Sequence, residues 1–290
     1  MIVAENVELS RLTTIGTGGP ARAFAEPSSL KELEQLLAWA AERGIGVATV
    51  GLGSNLLAAD EGVDALVLKL AGELASVRVE GELLIAGGGA TNAVCLHQAR
   101  AAGLGGFEFA CAIPGTAGGG VRMNAGAYGS DWSDVLVRAH VLAPDGDAWM
   151  TPLGLGLAYR SSDLGGSAVV AEVEYRLTPR PPDEIKEKVR ELIAQRKATQ
   201  PTNKRTFGSV FKNPEHEVGA GRMLEACGLK GHQIGGAMIS PMHANFIENA
   251  GEATTADALA LMAEARRRVR EQFGVELEHE VQLLGPVAVT

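Results

Sequence analysis

The stretch IPGTAGGGVRMNAGAYG, Ile113–Gly129, holds six glycines in seventeen residues and one charged side chain, Arg122. Its spacing of apolar residues predicts neither an ordinary helix nor an ordinary strand. Ordering a glycine costs conformational entropy, so a run this dense is either a loose linker or a backbone that comes very close to something. Because the run also contains Asn, Arg, Met and Tyr, it is too varied for a linker.

A second segment, VGLGSNLL at residues 50–57, has the same character. Backbone N–H groups in such turns can converge on phosphate oxygens, and the missing side chains allow close approach. The segment is not a G-x-G-x-x-G motif that opens a helix after an initial strand, and no G-K-S/T follows it. A dinucleotide fold or a P-loop is therefore not favoured. Taken singly, each glycine segment is compatible with a structural turn or with an anion loop.

Composition predicts an ordinary globular protein. The 290 residues are 46% hydrophobic and 21% charged, which is typical of a packed chain and not of a disordered one. The net charge of −9 argues against a general nucleic-acid binder, whose affinity rests on clustered Lys and Arg. A local basic spot could still bind a small anionic ligand.

Targeting and metal signals are missing from the sequence. The first residues, MIVAENVELSRLT, lack a basic segment followed by an apolar one, and no run approaches eighteen apolar residues. Three scattered cysteines, Cys95, Cys111 and Cys227, lack metal-ligand spacing. We expect a cytoplasmic protein with reduced thiols, no membrane span and no metal site.

The pattern along the chain predicts mixed helices and strands, and so an α+β fold. Helices are predicted at 28–43, at 91–102, from Glu184 to about 199, and at 255–273. Strands are predicted at 47–50, 63–70, 83–87, 135–144, 169–179 and 275–284. PRPPDE at 179–184 interrupts the pattern and places a seam near 180–205. The basic run ARRRVREQF, 265–273, is interpreted as a solvated helix end, with an anion site as the alternative.

Seven ordered motifs identify a family. TVGLGSNLLAAD and GFEFACAIPGTAGGGVRMNAGAYG resemble the flavin-binding half of UDP-N-acetylenolpyruvoylglucosamine reductases, within the vanillyl-alcohol-oxidase-like group of FAD proteins. The resemblance continues through YRSS (159–162), GSVFKNP (208–214), GLKGHQIGGAMIS (228–240), HANFIENAG (243–251) and LEHEVQLLG (277–285). Order and spacing agree from residue 12 onward, which is far more specific than a single glycine loop.

The resemblance implies non-covalent FAD and a two-part FAD-binding domain at 1–200, split near 57–70, followed by a C-terminal substrate domain at 201–290. In the family the two glycine loops wrap the pyrophosphate and the edge of the flavin ring. Carried over, the cofactor residues would be Gly51, Gly53, Ser54, Asn55 and Leu56 in one loop, and Ile113, Pro114, Gly115, Gly119, Gly120, Asn124 and Ala125 in the other.

The implied reaction is NADPH-dependent reduction of the enolpyruvyl ether of a UDP-sugar to a lactyl ether, in peptidoglycan precursor synthesis. Ser209 in GSVFKNP matches the family's proton donor to C2. Arg160 in YRSS and Glu280 in LEHEV match the pair at the substrate's carboxylate. A Glu near developing negative charge must be protonated or bonded to Arg, so a coupled pair is expected. Periodicity cannot choose among Glu276, Glu278 and Glu280; the family pattern does.

Four residues in the matched C-terminal motifs are predicted to hold the UDP-sugar: Lys212, Asn213, Lys230 and His243. Lys197, Lys204 and Arg205 are weaker candidates near the seam, and His243 could equally be structural. Tyr128 and Tyr159 pack either on the flavin or on the core. NADPH and the UDP-sugar are expected to use one site in turn, since both present a nucleotide diphosphate to the same flavin face.

The sequence differs from the longer class of the family in one segment. The longer class of the family has an insertion with a substrate-covering tyrosine between YRxS and GSxFKNP. Here residues 161–208 run from YRSS directly through a strand and a helix, so the chain resembles the shorter class. Two alternatives stay open: another FAD oxidoreductase on the same scaffold, against which Ser209 and Glu280 argue, and a non-catalytic protein that binds a nucleotide or flavin.

Overall fold

The computed structural model describes residues 2–143 and 146–289. These residues form six α-helices: α1 (Leu30–Glu42), α2 (Asn92–Ala101), α3 (Ala117–Met123), α4 (Pro182–Thr199), α5 (Ala220–Ala226) and α6 (Thr255–Phe273). They also form strands β1 (Val7–Glu8), β2 (Pro20–Ala25), β3 (Gly46–Thr49), β4 (Leu56–Ala58), β5 (Val63–Leu68), β6 (Val77–Glu80), β7 (Leu83–Gly87), β8 (Leu104–Gly105), β9 (Gly126–Ala127), β10 (Ser130–Asp131), β11 (Leu136–Ala143), β12 (Gly146–Met150), β13 (Val169–Arg176), β14 (Thr178–Pro179), β15 (Thr206–Ser209), β16 (Gln233–Ile234), β17 (Ala237–Ile239), β18 (Phe246–Asn249) and β19 (Gln282–Leu284). The mixture confirms the predicted α+β class.

The capping signals of the predicted helices are real. Ser29 caps α1 by accepting the Glu32 N–H, and Gly44 follows the helix with a positive φ of 61°. Thr254 and Asp257 form a reciprocal capping box at the start of α6. Helix α4 begins at Pro182, two residues before the predicted Glu184, because proline suits the first helical turn.

Two predictions of secondary structure are wrong. The glycine-rich run contains the helix α3, and the last strand covers only Gln282–Leu284 instead of 275–284. Residues 274–278 are outside any strand and only His279 makes an isolated bridge, with Phe211, so the apolar residues there pack without a ladder. Residue 144, the end of the predicted 135–144 strand, lies outside the described residues.

The chain divides into two compact units. Unit 1 comprises Met1–Glu5, Ala23–Leu52 and Ala65–Gln195, and unit 2 comprises Asn6–Arg22, Gly53–Asp64 and Arg196–Thr290. Segments 6–22 and 53–64 group with the C-terminal part, and β4 pairs in parallel with β19 there. The functional boundary expected between residues 200 and 201 stays a prediction.

Unit 1 is built on an antiparallel five-stranded sheet in the order β12-β11-β13-β7-β6. A cluster of four buried aromatic side chains lies in its core: Phe107, Phe109, Trp132 and Tyr175. A second core of unit 1 packs α1 against β3 and the part of β5 that follows residue 64. The first of these cores includes Ala117 and Val121 and so packs the glycine loop of residues 113–129 against the sheet.

Unit 2 contains the antiparallel sheet β15-β18-β17-β16, with α5 and α6 contributing to its core. Arginines of the 265–273 run pair with nearby glutamates: Arg266 and Arg270 with Glu276, Arg267 with Glu264 and Glu271, and Arg268 with Glu264. These pairs support the interpretation of the run as a solvated helix end. No helix within residues 2–143 and 146–289 combines the length and apolarity that a membrane span requires.

Candidate active site

The first glycine loop begins where β3 ends in unit 1. The Val50 N–H donates to Leu68 O at 2.9 Å, and the N–H groups of the next two residues, Gly51 and Leu52, have no acceptor among the described residues. A Cβ on Gly51 would lie 2.8 Å from the Thr116 hydroxyl, so this loop lies against the start of the second loop. Two bare amide donors beside a hydroxyl fit a phosphate of FAD.

The rest of the first loop belongs to unit 2. Gly53 has a φ of +64°, and a Cβ there would lie 2.0 Å from Leu12 O, so the glycine is required by packing. Asn55 donates from Nδ2 to Glu280 O at 3.2 Å, and its own carbonyl accepts the Gln282 N–H at 3.1 Å. The other two predicted residues flank it: Ser54 and Leu56. Asn55 thus holds the backbone around Glu280.

The second loop uses the amides of its helix internally. Each of the first four N–H groups of α3 has an acceptor in unit 1: Ala117 to Ala90 O, Gly118 to Gly88 O, Gly119 to Thr116 Oγ1 and Gly120 to Thr116 O. Thr116 is therefore the cap of this helix. An anion bound here would have to take its hydrogen bonds from amides outside α3.

Consecutive glycines of α3 serve different purposes. A Cβ on Gly120 would lie 2.2 Å from the Trp132 ring, which is fully buried, so only glycine fits. A Cβ on Gly119 would meet nothing closer than the Thr116 hydroxyl at 3.4 Å, which is ordinary contact. Both were predicted to line the cofactor, but packing alone already accounts for Gly120.

The entry to α3 is fixed by Asn92. Its Nδ2 donates to Ile113 O at 2.9 Å, and its backbone N–H donates to Gly115 O at 3.0 Å. Pro114 lies between these two anchored residues, and Gly115 has a φ of +157°. The predicted cofactor segment 113–115 is therefore held at both ends.

Asn124 ends α3 in the left-handed conformation, with φ 37°. Its Nδ2 donates to Ala158 O at 3.0 Å and to Asp131 Oδ2 at 3.3 Å, and its Oδ1 accepts the Ser133 N–H at 3.0 Å. Ala125 follows it directly before β9. The Asn124 amide, predicted as a cofactor group, ties the helix end to the two segments beside it.

Arg160 occupies a turn of left-handed backbone, with φ 56°. Residues 158–161 close that turn by reciprocal backbone hydrogen bonds of 3.1 and 3.2 Å. The guanidinium donates to Gly126 O and stacks on Tyr159, 4.9 Å from the ring centroid. A Cβ on Gly126 would lie 2.9 Å from Arg160 Nη1. The structure thus brings Arg160 to the second glycine loop.

Tyr128 donates its hydroxyl to a carbonyl of α4 at 3.0 Å.

Arg122, the one charge in the glycine run, is a structural cation. Burial lowers its pKa, and its guanidinium donates to three carbonyls that follow the YRSS motif: those of Leu164, Gly165 and Ala168. The Ser162 hydroxyl donates back to Arg122 O at 2.7 Å. The helix α3 and the segment after Arg160 are therefore fastened together from both sides.

In unit 2, two sequence-distant motifs lie side by side. Ser209 is the last residue of β15, and the carbonyl of the next residue, Val210, accepts the Glu280 N–H at 2.8 Å. Two residues on, the Lys212 N–H donates to Glu278 O at 2.9 Å. GSVFKNP and LEHEV thus form a short antiparallel pairing, which places Ser209 and Glu280 on neighbouring segments.

The three alternating glutamates have different surroundings. Glu276 pairs with Arg266 at 2.9 Å and Glu278 pairs with Lys212 at 2.6 Å, both within unit 2. The backbone of Glu280 is bonded on both sides, by Val210 and Asn55. The choice of Glu280 over the other two glutamates still rests on the family pattern.

Lys212 and Asn213 follow that pairing directly. Lys212 keeps only 17% of its side chain exposed and is joined to Glu278. Asn213 Oδ1 accepts the Ala220 N–H at 3.1 Å, at the first residue of α5. The amide predicted for substrate binding therefore also caps a helix.

Lys230 and His243 lie near each other in unit 2. Burial lowers the pKa of His243, and the positive charge of Lys230 acts in the same direction. The His243 Nδ1 accepts the Asn245 N–H at 3.2 Å, and its ring meets Phe246 edge-on with centroids 5.0 Å apart. Lys230 itself pairs with Glu225 at 2.7 Å. His243 is thus a neutral, positioned ring.

Two side chains that the pattern did not select organise these segments: Thr116 and Asn245. The asparagine in HANF gives no signal of its contact with Phe211, which lies far away in sequence, whereas Thr116 acts locally by accepting the Gly119 N–H. Capping preference could have suggested Thr116, but nothing in the pattern could have suggested Asn245.

Comparison with known proteins agrees with this geometry. The family "UDP-N-acetylenolpyruvoylglucosamine reductase, C-terminal domain" matches residues 200–284, and "FAD binding domain" matches residues 21–151. UDP-N-acetylenolpyruvoylglucosamine reductase 2 of Symbiobacterium thermophilum is 46% identical over 96% of this chain and 90% of its own. The reductase of Rubrobacter xylanophilus is 44% identical over 96% of this chain and 93% of its own. The crystal structure of the Thermus caldophilus reductase superposes with a TM-score of 0.85 at 36% identity, covering 98% of this chain and all of that one.

The match to an FAD-binding domain and the reductase relatives define the class: an FAD-dependent oxidoreductase. Within that class, the chain belongs to the UDP-N-acetylenolpyruvoylglucosamine reductase family. The predicted family, fold class and FAD cofactor are thereby confirmed.

Proposed function

We propose that this chain reduces UDP-N-acetylglucosamine enolpyruvate to UDP-N-acetylmuramate with NADPH, in the synthesis of peptidoglycan precursors in the cytoplasm. The overall reaction consumes one NADPH and one proton for each double bond reduced. Residues 1–200 would bind the cofactor and residues 201–290 the substrate. Family membership supports the proposal, and the residues below supply its chemistry.

FAD, when bound, would supply hydride chemistry, taking two electrons and one proton from NADPH for delivery to carbon. The bare amides of Gly51 and Leu52 would hold its phosphates, with Gly119 giving close approach beside Thr116. The anchored segment 113–115 would border it.

The residues of the chain then manage charge and a proton. Addition at the methylene carbon of the enolpyruvyl group leaves negative charge on C2, shared with the carboxylate. Arg160 would bind that carboxylate through its fork of donors, and Glu280, in its protonated form, would stabilise the charge. Ser209 would give the proton to C2, which completes the reduction.

The UDP-sugar needs cations and donors for its diphosphate. Lys212 and Lys230 would supply positive charge, and Asn213 and His243 would supply hydrogen bonds. Because NADPH also presents a nucleotide diphosphate, we propose that the two compounds use one site in turn.

The observation that carries this proposal is the pairing of GSVFKNP with LEHEV in unit 2. The bond from Glu280 N–H to Val210 O fixes an acid-bearing segment one residue from Ser209. A scaffold that only bound flavin would not call for a hydroxyl and a carboxyl on adjoining segments.

Flavin absorbance tests the proposal. Purified protein should be yellow, NADPH should bleach the flavin under anaerobic conditions, and the enolpyruvyl UDP-sugar should restore the colour. A colourless preparation that FAD cannot reconstitute would contradict any redox function. A bleached flavin that the UDP-sugar does not reoxidise would favour another oxidoreductase on the same scaffold.

Shared use of one site has its own test. Excess enolpyruvyl UDP-sugar should inhibit competitively against NADPH in steady-state turnover. Noncompetitive inhibition would contradict alternating occupancy but would leave the reaction itself in place.

A further inference from the structure

Asn245 is a buried amide, 5% exposed, whose bonds converge on the two residues after Ser209. Its backbone carbonyl accepts the Val210 N–H at 2.9 Å. Its side-chain Oδ1 accepts the Phe211 N–H at 3.0 Å, and its Nδ2 donates to Phe211 O at 2.8 Å. One residue thus satisfies three main-chain groups of Val210 and Phe211.

The Asn245 side chain supplies hydrogen bonds where the pairing of β15 with β18 ends. The pairing of β15 with β18 runs from Thr206 opposite Glu248 to Ser209 opposite Phe246, with an irregularity between them. Beyond Phe246 the β18 chain departs from the ladder, and the Asn245 amide reproduces the donor and acceptor pair of a missing strand residue. Without that amide, two buried groups of Phe211 would lose their partners.

The opposite edge of the same segment carries Glu280. Val210 O accepts the Glu280 N–H, and Lys212 N–H donates to Glu278 O, so residues 210–212 are bonded to Asn245 on one edge and to 278–280 on the other. A shift of Val210 and Phe211 would therefore displace Ser209 and Glu280 together.

We infer that Asn245 is a positioning residue for proton delivery to C2, acting through the backbone of Val210 and Phe211 on both Ser209 and Glu280. This inference rests on the proposed function. Asn245 acts through main chain and not by contact with the reacting atoms; its effect is on the distance between the Ser209 hydroxyl and the carbon that it would protonate. Misplacing a reacting group by about 1 Å can cost roughly 100-fold in rate.

The decisive comparison is between the two half-reactions of Asn245→Ala, measured by stopped-flow absorbance of the flavin. NADPH reduction of the flavin should stay within about 3-fold of the parent, whereas reoxidation by the enolpyruvyl UDP-sugar should slow by roughly 100-fold. The dissociation constant of the UDP-sugar should change much less than the reoxidation rate, because the Asn245 side chain bonds the main chain of Phe211 and none of the four side chains proposed to hold the UDP-sugar.

Asn249→Ala is the matched control. Asn249 ends the same strand β18, and its amide also bonds main chain, donating to Ile15 O at 3.0 Å and accepting from Gly251 and Ala253. Its loss should lower stability without changing the ratio of the two half-reactions. Equal slowing of both half-reactions in Asn245→Ala, or the same selective slowing in Asn249→Ala, would overturn the inference.

Asn245→Asp provides a second, pH-dependent variant. A protonated carboxyl can accept the Phe211 N–H and donate to Phe211 O as the amide does, whereas the carboxylate cannot donate. Burial without a cation raises the pKa of a carboxyl, so reoxidation by this variant should recover as pH falls, relative to the parent. Because His243 accepts the Asn245 N–H and also titrates, parent and variant are compared in a His243→Gln background. A flat ratio would count against the inference even if Asn245→Ala does not fold.

Amide hydrogen exchange separates failure of the inference from failure of the proposed function. In folded Asn245→Ala, exchange should accelerate at Phe211 and Glu280 and stay unchanged in β16 and β17. If the parent protein shows no UDP-sugar reaction, the proposed function falls, and exchange still decides whether Asn245 holds this segment. If the parent reacts and exchange at both amides is unchanged, Asn245 does not position them.

Discussion

The glycine loop of unit 1 and the paired motifs of unit 2 are built by opposite means. In the first, Gly120 is needed because a Cβ would strike the Trp132 ring, and Gly126 because a Cβ would strike the Ser130 carbonyl and the Asp131 Cβ. In the second, amide side chains such as those of Asn245 and Asn55 bond main chain that has no strand partner. The first region depends on the absence of side-chain atoms at its glycines, and the second depends on amide side chains that supply hydrogen bonds. Adding atoms should therefore damage stability in the first, and removing atoms should damage chemistry in the second.

The largest expected effect is on chemistry in unit 2. Ser209→Ala should slow flavin reoxidation by the enolpyruvyl UDP-sugar about 1,000-fold, equivalent to about 4 kcal/mol, because the proposed proton donor is lost. Reduction by NADPH should be retained, and the free energy of unfolding should change by less than about 1 kcal/mol. Stopped-flow absorbance and urea unfolding measure the two. Wild-type rates in both half-reactions would remove Ser209 from its role.

The converse prediction concerns stability in unit 1. Gly120→Ala should lower the free energy of unfolding by about 3 kcal/mol, since the added methyl group overlaps the buried Trp132 ring. Gly119→Ala, one residue away, where the added methyl group meets only the Thr116 hydroxyl at 3.4 Å, should cost much less. Urea denaturation of the two variants measures the difference. Similar midpoints for both would show that the Trp132 contact does not constrain this helix.

Asn124 is an exception to this comparison, because it lies in unit 1 but acts through the hydrogen bonds of its side chain. Asn124→Ala should destabilise by about 2 kcal/mol, through lost hydrogen bonds and a strained left-handed backbone. Asn124→Gly keeps the backbone conformation and should destabilise less. Thermal unfolding followed by circular dichroism distinguishes them. If glycine were the worse substitution, backbone strain would not be the relevant cost.

The smallest effect is a pH dependence in unit 2. Burial lowers the pKa of His243, so the unfolded chain binds a proton before the folded one, and stability is lost as pH falls below about 6.5. Replacing His243 with Gln should flatten that part of the stability curve. Urea unfolding at a series of pH values from 8 to 5 measures the slope. An unchanged slope would assign the acid loss to other groups.

Much of the fold could be predicted because its signals are local. Ser29 and Gly44 bound α1, and Thr254 and Gly274 bound α6, so caps and periodicity give these helices nearly to the residue. Helix α3 could not be predicted, because three glycines oppose helix formation and only the sheet and Trp132 compensate for them. The short strands β15 and β18 could not be predicted either. They show no clear periodicity, and their stability comes from tertiary packing.

The site divides in the same way. Resemblance supplied Ser209, Arg160 and Glu280 as chemical candidates, whereas their supports, Asn245 and Arg122, depend on contacts between residues remote in sequence. The sequence placed Asn55 and Asn124 among cofactor groups, and the structure finds both amides bonded to backbone near Glu280 and before Arg160. Their assignment to FAD stays a prediction.

The contact between Gly120 and Trp132 also bears on how such a gene can change over time. A descendant that ceased to bind flavin would still need glycine at position 120, because the Trp132 ring, and not the ligand, excludes a side chain there. Gly119, which no neighbour requires, would be released to drift. Retention of the first glycine in a distant sequence would therefore reflect packing against Trp132, whereas retention of both would support the proposed contact of Gly119 with FAD.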